Sequence, residues 1–345
     1  MADHRSRGPG LDGILVVAKP PGPTSHDVVA LIRRLAATRR VGHGGTLDPF
    51  ASGVLPVFLG RATRVVEYHL RDRKQYRATV CFGASSTTED LEGELTPAAG
   101  SAPDRAAVNA ALAAMTGRIT QRPPAYSAIK VAGRRAYALA RAGQQVELEP
   151  REVDIYRLDL VDWDEADPDR PIAILEVECS AGTYVRALAR DLGAAVGNAA
   201  YLGALERTAS GPFIVEDAIP LDRIRSATAN GPDALRTYLL PIDFGLDAFP
   251  VVSLEDVEVA AVTRGQLVRP AVPIGAIDAA RVRLVARDGS LVAIAVPMGD
   301  RLAPDKVFAS VGGNPGGPIG AGAILATELD PPEAVDPDPA SPDDD

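Results

Sequence analysis

Asp48 stands alone. The stretch from Arg40 to Arg64, RVGHGGTLDPFASGVLPVFLGRATR, holds one histidine, five glycines and two prolines around that single acid. The nearest other acids are Asp27 and Glu67, while Arg39, Arg40, Arg61 and Arg64 flank it. Three readings of residues 42–48 compete. A phosphate-cradling glycine loop fits poorly, because neither GxGxxG nor GxxxxGK[ST] is present and a central acid would repel phosphate. A structural turn, with Asp48 bonding its own backbone ahead of Pro49, is a common use of Asp-Pro. The third reading is a catalytic carboxylate in a shaped loop, kept ionised at neutral pH because a nearby arginine lowers its pKa. Beside a sugar, such a carboxylate can act as a nucleophile or stabilise an oxocarbenium-like centre. A retaining glycosidase needs a second carboxylate. This loop has none, although a remote one is not excluded. A reaction that moves a glycosidic bond within one substrate would need neither water nor that acid.

The elements around this loop must position it. Residues 13–18 form an apolar run, PPGP is a turn, and Ser25 or Thr24 can cap a helix with Val28, Leu31, Ile32 and Leu35 on its apolar face. Residues 40–64 then read as a loop, and ATRVVEYHL as a short helix. KQYRATVCFG alternates and predicts a strand. Residues 84–103 read as a polar loop, and Asp104 caps a helix through Met115 that Gly117 ends. RPIAILEVECSAG predicts a second strand. TYVRALARDLGAAVG predicts a helix with Val185, Leu188, Leu192 and Val196 inward. Without a strict βαβ repeat, the class is α+β with a mainly antiparallel sheet. From about Pro250 the pattern changes to short strands, with an Asp288-Gly289 hairpin turn. The domains expected are a catalytic one at 11–245 and a small β-rich one at 246–327. Residues 1–10 and the acidic tail 328–345 are expected to be disordered. The glycine-rich stretch 312–322 reads as a loop.

Composition narrows the function. The 345 residues contain two cysteines and four histidines without metal-ligand spacing, so no zinc site is expected, and Cys81 and Cys179 read as buried thiols of a cytoplasmic protein. No apolar run suits a membrane span or a signal peptide. The net charge of −10 conceals an uneven distribution, since the tail from Glu328 carries eight acids and no base. Residues 31–77 hold ten Lys/Arg against three acids, and residues 118–141 hold six Lys/Arg and no acid. Two such zones suit a phosphate backbone.

GHGGTLDPFASGVLPVFLGRATR resembles the signature of the TruB-type tRNA pseudouridine synthases, in which the Asp is catalytic. Further blocks follow in the family's order. They are GILVVAKPPGPTSHDVV with Lys19 and Pro20, KQYRATVCFGASSTTED with Tyr76, and RPPAYSAIKVAGRRAYALAR with Tyr126 and Lys130. CSAGTYVRALARDLG, with Tyr184 and Arg186, and AYLGALERTASGPF, with Leu205, complete them. The likeness spans about residues 11–220 and departs from the family's Leu-Arg-Arg-Thr at Glu206, where a phosphate contact is otherwise expected. It implies a pseudouridine synthase fold, a mainly antiparallel mixed sheet flanked by helices, with a small PUA-like β domain. It implies isomerisation of uridine 55 in the tRNA T-loop by base flipping, without guide RNA, metal or nucleotide cofactor. Asp48 would attack, Arg186 would pair with it, and Tyr184 would assist removal of the C5 proton. Tyr76 would stack on the base, Leu205 would meet the uracil, and His43 would order the RNA loop. Lys19, Tyr126 and Lys130 would contact substrate. The expected partner is tRNA alone, at its T-arm, with the protein a monomer free of membrane.

Overall fold

A computed structural model describes residues 10–309 except 128, 132, 145, 147 and 270–278. The expected acidic tail, the 312–322 stretch and residues 1–9 lie outside the described residues. A ten-stranded mixed sheet dominates. Its main path runs Ile219–Pro220, Gly13–Lys19, Ser52–Leu59, Ala200–Ser210, Lys74–Phe82, Ile172–Cys179, Arg151–Asp164, Gly117–Gln121. Val41–His43 pairs with Ser52–Leu59, and Phe213–Ile214 with Ala200–Ser210. Two pairings are parallel, Gly13–Lys19 with Ile219–Pro220 and Ser52–Leu59 with Ala200–Ser210; the others are antiparallel. The α+β class with a mainly antiparallel mixed sheet therefore holds.

One face of this sheet carries Leu15, Val17, Leu55, Val57, Ala78 and Val80, and the helices Ser25–Leu35, Arg105–Ala114 and Val185–Ala195 contribute to the same core. The helices follow local signals. Thr24, not Ser25, is the N-cap, in a capping box with Asp27. Asp104 accepts from the Ala107 amide at 2.7 Å and caps the next helix. At the other face, Ile14, Val16, Val54 and Phe58 form a second core with Phe213, Tyr68 and Phe249. That core reaches a separate four-stranded sheet, Val251–Ser253, Val282–Val285, Leu291–Met298 and Arg301–Val307, through Ile294 and Phe308.

Four expectations change. The loop expected at 40–64 shrinks to 44–51, because Val41–His43 and Ser52–Leu59 are strands. The segment read as one short helix is a 3-10 stretch, Gly60–Val65, followed by a single turn, Val66–His69. The polar loop after Phe82 contains a small hairpin of Ala84–Ser86 with Leu95–Pro97. Cys81 is only half-buried, because it alternates outward on Lys74–Phe82 with Gln75, Arg77 and Thr79; Cys179 is buried.

Candidate active site

A single rung across the sheet builds the floor. Lys19 pairs with Gly53, Gly53 with Arg207, Arg207 with Tyr76, and Tyr76 with Val177. Residues in one rung point to one face, here the face packed by the helices. Gly53 leaves a gap between two long cations, and the gap is obligatory. A Cβ there would lie 2.2 Å from the Arg207 carbonyl oxygen, and its φ is +109°.

The 44–51 loop lies over this rung, and both cations hold its backbone. Lys19, 1% exposed, donates from Nζ to the carbonyls of Pro20, Asp48, Pro49 and Ala51 at 3.1, 3.1, 3.0 and 2.6 Å. Burial lowers its pKa to about 8, against the pull of Asp48. Its ammonium is committed to the loop, which gives Lys19 a structural hold on the backbone of Asp48. Arg207, also 1% exposed, donates to the carbonyls of Val54, Thr46 and Gly45 at 2.9, 3.3 and 3.1 Å and to the Tyr76 hydroxyl. Burial pushes the Tyr76 phenol up to about 12. Ser25 completes the frame, accepting from the Leu47 amide at 2.8 Å and donating to its carbonyl.

Above the frame, Asp48 meets Arg186 from the first turn of Val185–Ala195. Nη2 donates to Oδ1 at 3.2 Å, and Nε stands 2.9 Å from Oδ2 without hydrogen-bond alignment. Arg186 Nη1 also lies 3.2 Å from Oδ2 of Asp90 and donates to the Thr88 carbonyl at 3.1 Å, while Nη2 reaches the Tyr126 carbonyl at 3.0 Å. The side chains of Arg186 and Asp90 are 6% and 4% exposed and that of Asp48 is 34% exposed, so of the three only the Asp48 carboxylate is open to a ligand.

The electrostatics correct the sequence reading. Arg186 does pull the Asp48 pKa down, but burial outweighs it and Asp90 adds to the rise, so the net shift is upward rather than downward. The arginines that flank Asp48 in sequence are not its partners. Arg61 binds Asp12 at 2.8 Å and the Phe308 carbonyl, and Arg64 donates to the Val307 carbonyl at 2.5 Å. Both face the C-terminal sheet.

The remaining expected residues are spread around Asp48. His43 ends the strand Val41–His43, accepts from the Gly45 amide at 3.3 Å, and meets His26 edge-on at 5.7 Å. Burial, with His26 and Arg207 nearby, lowers its pKa to about 4, so it is neutral at neutral pH. Leu205, 8% exposed, lies two residues before Arg207 on the same face, beside Ala78. Tyr184 precedes the helix, its amide and carbonyl held by Gln121 at 2.8 and 3.1 Å, with Arg151 over its ring at 4.9 Å. Among the described residues no hydrogen bond or ring contact joins Tyr184 to Asp48. Tyr126 enters through its carbonyl on Arg186. Lys130 lies on the two-residue strand Lys130–Val131, its side chain outside the described set.

Sequence reasoning missed Asp90 and Arg207. Asp90 is the remote second carboxylate, but it is buried against Arg186 and bonded by Thr88 Oγ1 and the Glu92 amide at 2.5 and 3.0 Å. Its only signal was an acid in a polar run. Among the described residues no group of three His, Cys, Asp or Glu side chains is placed to hold a metal, and no helix is long and apolar enough to cross a membrane. A recess of about 540 Å³ between Leu112 and Leu158 shares no residue with this cluster.

Comparison with known proteins places the chain in a family. Residues 33–185 match the TruB family pseudouridylate synthase N-terminal domain and residues 186–247 the tRNA pseudouridylate synthase B C-terminal domain. A tRNA pseudouridine synthase B of Bradyrhizobium diazoefficiens is 46% identical over 75% of this chain and 74% of its own length. One from Thermobifida fusca is 44% identical over 86% of this chain and 99% of its own. Among solved structures, an H/ACA ribonucleoprotein bound to a substrate RNA containing 2'-deoxyuridine superposes with a TM-score of 0.63 at 27% identity, covering 86% of this chain and 85% of that one. Carboxylate, buried guanidinium, aromatic rung and these likenesses converge: the chain belongs to the TruB family of pseudouridylate synthases.

Proposed function

We propose that the protein isomerises uridine 55 in the T-loop of tRNA to pseudouridine, with Asp48 as the attacking carboxylate. The observation that carries this reading is one part-exposed carboxylate held by a buried guanidinium that also binds Asp90 and two carbonyls, on a loop over the rung that carries Tyr76. The names of the relatives supply tRNA, and the two basic zones supply charge for its backbone. The uridine is flipped out of its stack at a cost of about a few kcal/mol. Its base rests on Tyr76, with Leu205 against the uracil. The C1'–N1 bond breaks, the uracil turns, a C1'–C5 bond forms, the C5 proton leaves with the help of Tyr184, and N1 takes up a proton in exchange. The product is an isomer, so the reaction itself requires neither metal nor nucleotide. Asp48 attacks either the sugar or the base; both use the same aimed carboxylate.

In this reading neutral His43 orders the RNA loop by packing rather than by charge. Tyr126 and Lys130 contact substrate from the basic segment 118–141. The catalytic domain is 11–245, and the β domain at 246–327 is a PUA-like RNA-binding module. Asp48→Asn tests the assignment, with a tRNA transcript labelled for tritium release from C5. Turnover is expected to vanish while tRNA binding persists; retained turnover would refute the role of Asp48.

A further inference from the structure

Among the described residues, two other than glycine hold a left-handed backbone, Ala37 and Glu89. Ala37 directly follows the C-cap of Ser25–Leu35, where that conformation is ordinary. Glu89, with φ +65°, has no such excuse, since an L residue with a long side chain rarely adopts it. The effect falls on the direction of its neighbour. In an extended chain, consecutive side chains point to opposite sides. Here Glu89 and Asp90 both reach one face of the helix Val185–Ala195, where Arg186 and Arg190 stand one turn apart. Asp90 pairs with Arg186 and Glu89 with Arg190.

The two arginines tie the same two segments. Arg186 bonds the Thr88 and Tyr126 carbonyls. Arg190 holds Glu89 through Nη1 and donates from Nη2 to the Arg122 carbonyl at 2.9 Å, with Nε on Asp191 at 2.8 Å. The Glu89 carbonyl accepts from the Leu202 amide at 3.0 Å, which fixes the turn to the sheet. Glu89 Oε2 is buried without a partner, so the carboxylate is held by its other oxygen alone. The isomerisation chemistry uses neither Glu89 nor Arg190.

We propose that Glu89 and Arg190 form a positioning pair, which sets the approach of Asp90 to Arg186 and through Arg186 the aim of Asp48. The proposal rests on the reading of Asp48 as the attacking carboxylate. Strain at Glu89 is retained because relaxing it would turn one of the two adjacent acids away from the helix.

Glu89→Gln, Glu89→Gly, Arg190→Met and Arg190→Lys are compared with Asp48→Asn in the full-length protein on a tRNA transcript. kcat, KM and Tm are measured for each. For Glu89→Gln and Arg190→Met, kcat is expected to fall about tenfold or more while KM stays within about twofold. Glu89→Gly removes the carboxylate but relieves the left-handed backbone, so Tm is held or raised while kcat falls as in Glu89→Gln. A pair that only braced the fold would not separate the two readouts. Arg190→Lys keeps the charge and recovers part of kcat. If Asp48→Asn is inactive and Glu89→Gln and Arg190→Met keep kcat within about twofold of wild type, the pair is overturned and Asp48 stands. Parallel loss of Tm and kcat in every variant, Glu89→Gly included, also overturns it. Turnover by Asp48→Asn instead overturns the reading beneath it.

Discussion

Arg186 serves two carboxylates, and that division decides how Asp48 behaves. A guanidinium bound to Asp48 alone could swing with it; one also fixed by Asp90 and two carbonyls holds a set orientation. Asp90→Asn keeps the shape and removes the charge, so kcat should fall about tenfold to a hundredfold with KM little changed, as steady-state kinetics would read. Asp48 itself carries a stability cost. Its folded pKa lies above the unfolded value, so stability is lost as pH rises through that interval, and above it the ionised acid is a net burden. Asp48→Asn should therefore raise Tm at pH 7.5 by a small amount, about 1–3 °C, because a carboxylate one-third exposed is partly screened. The gain should vanish in acid, where Asp48 is protonated in both states; equal gains at both pH values would contradict the sign. His43 should add no titration step to turnover near pH 6.5, since its pKa is about 4. At this scale the sequence was half legible. A lone acid among glycines and prolines marked Asp48, but neighbouring arginines in the chain pointed to the wrong cations. Arg186 sits on an amphipathic helix, where periodicity alone would make it a solvated charge.

The rung Lys19–Gly53–Arg207–Tyr76 connects four strands, and its members are 34, 154 and 131 residues apart along the chain. No local pattern could reveal it, because register is set by tertiary pairing. The strands themselves differ in legibility for a physical reason. Lys74–Phe82 has one face in the core and one outward, so it alternates in sequence. Ser52–Leu59 lies between both cores, with Leu55 and Val57 in one and Val54 and Phe58 in the other, so alternation disappears and Pro56 and the glycines suggest a loop. Gly53 is where the rung is most vulnerable. Gly53→Ala adds a Cβ onto the Arg207 backbone at a positive φ, a combined cost of about 3 kcal/mol or more. Tm should drop by about 6–12 °C, and Asp48 should lose its frame. A variant that melts like wild type would mean that the two strands can separate without cost.

Across the whole molecule, the basic zone at 31–77 is divided between two uses. Arg61 and Arg64 are spent on the C-terminal sheet, where Lys306 also meets Glu67 at 2.5 Å and Tyr68 donates to Asp305 at 3.4 Å. Arg39 and Arg40 are exposed on the segment leading to the 44–51 loop. Net charge could not separate these uses, since the acidic tail cancels the zone in the total and only the fold shows which cations are engaged. The two groups should respond differently to salt. Each phosphate contact released adds about one unit to the slope of log affinity against log salt, and affinity for tRNA should fall at least about tenfold between 50 and 200 mM salt. Arg39→Ala and Arg40→Ala should each flatten that slope by up to about one unit with Tm unchanged. Arg64→Ala should leave the slope alone and lower Tm, because its guanidinium bonds Val307 and lies 5.5 Å from the Phe308 ring centroid. A flattened slope in Arg64→Ala, or none in either of the other two, would show that the tRNA backbone follows a different path over the surface.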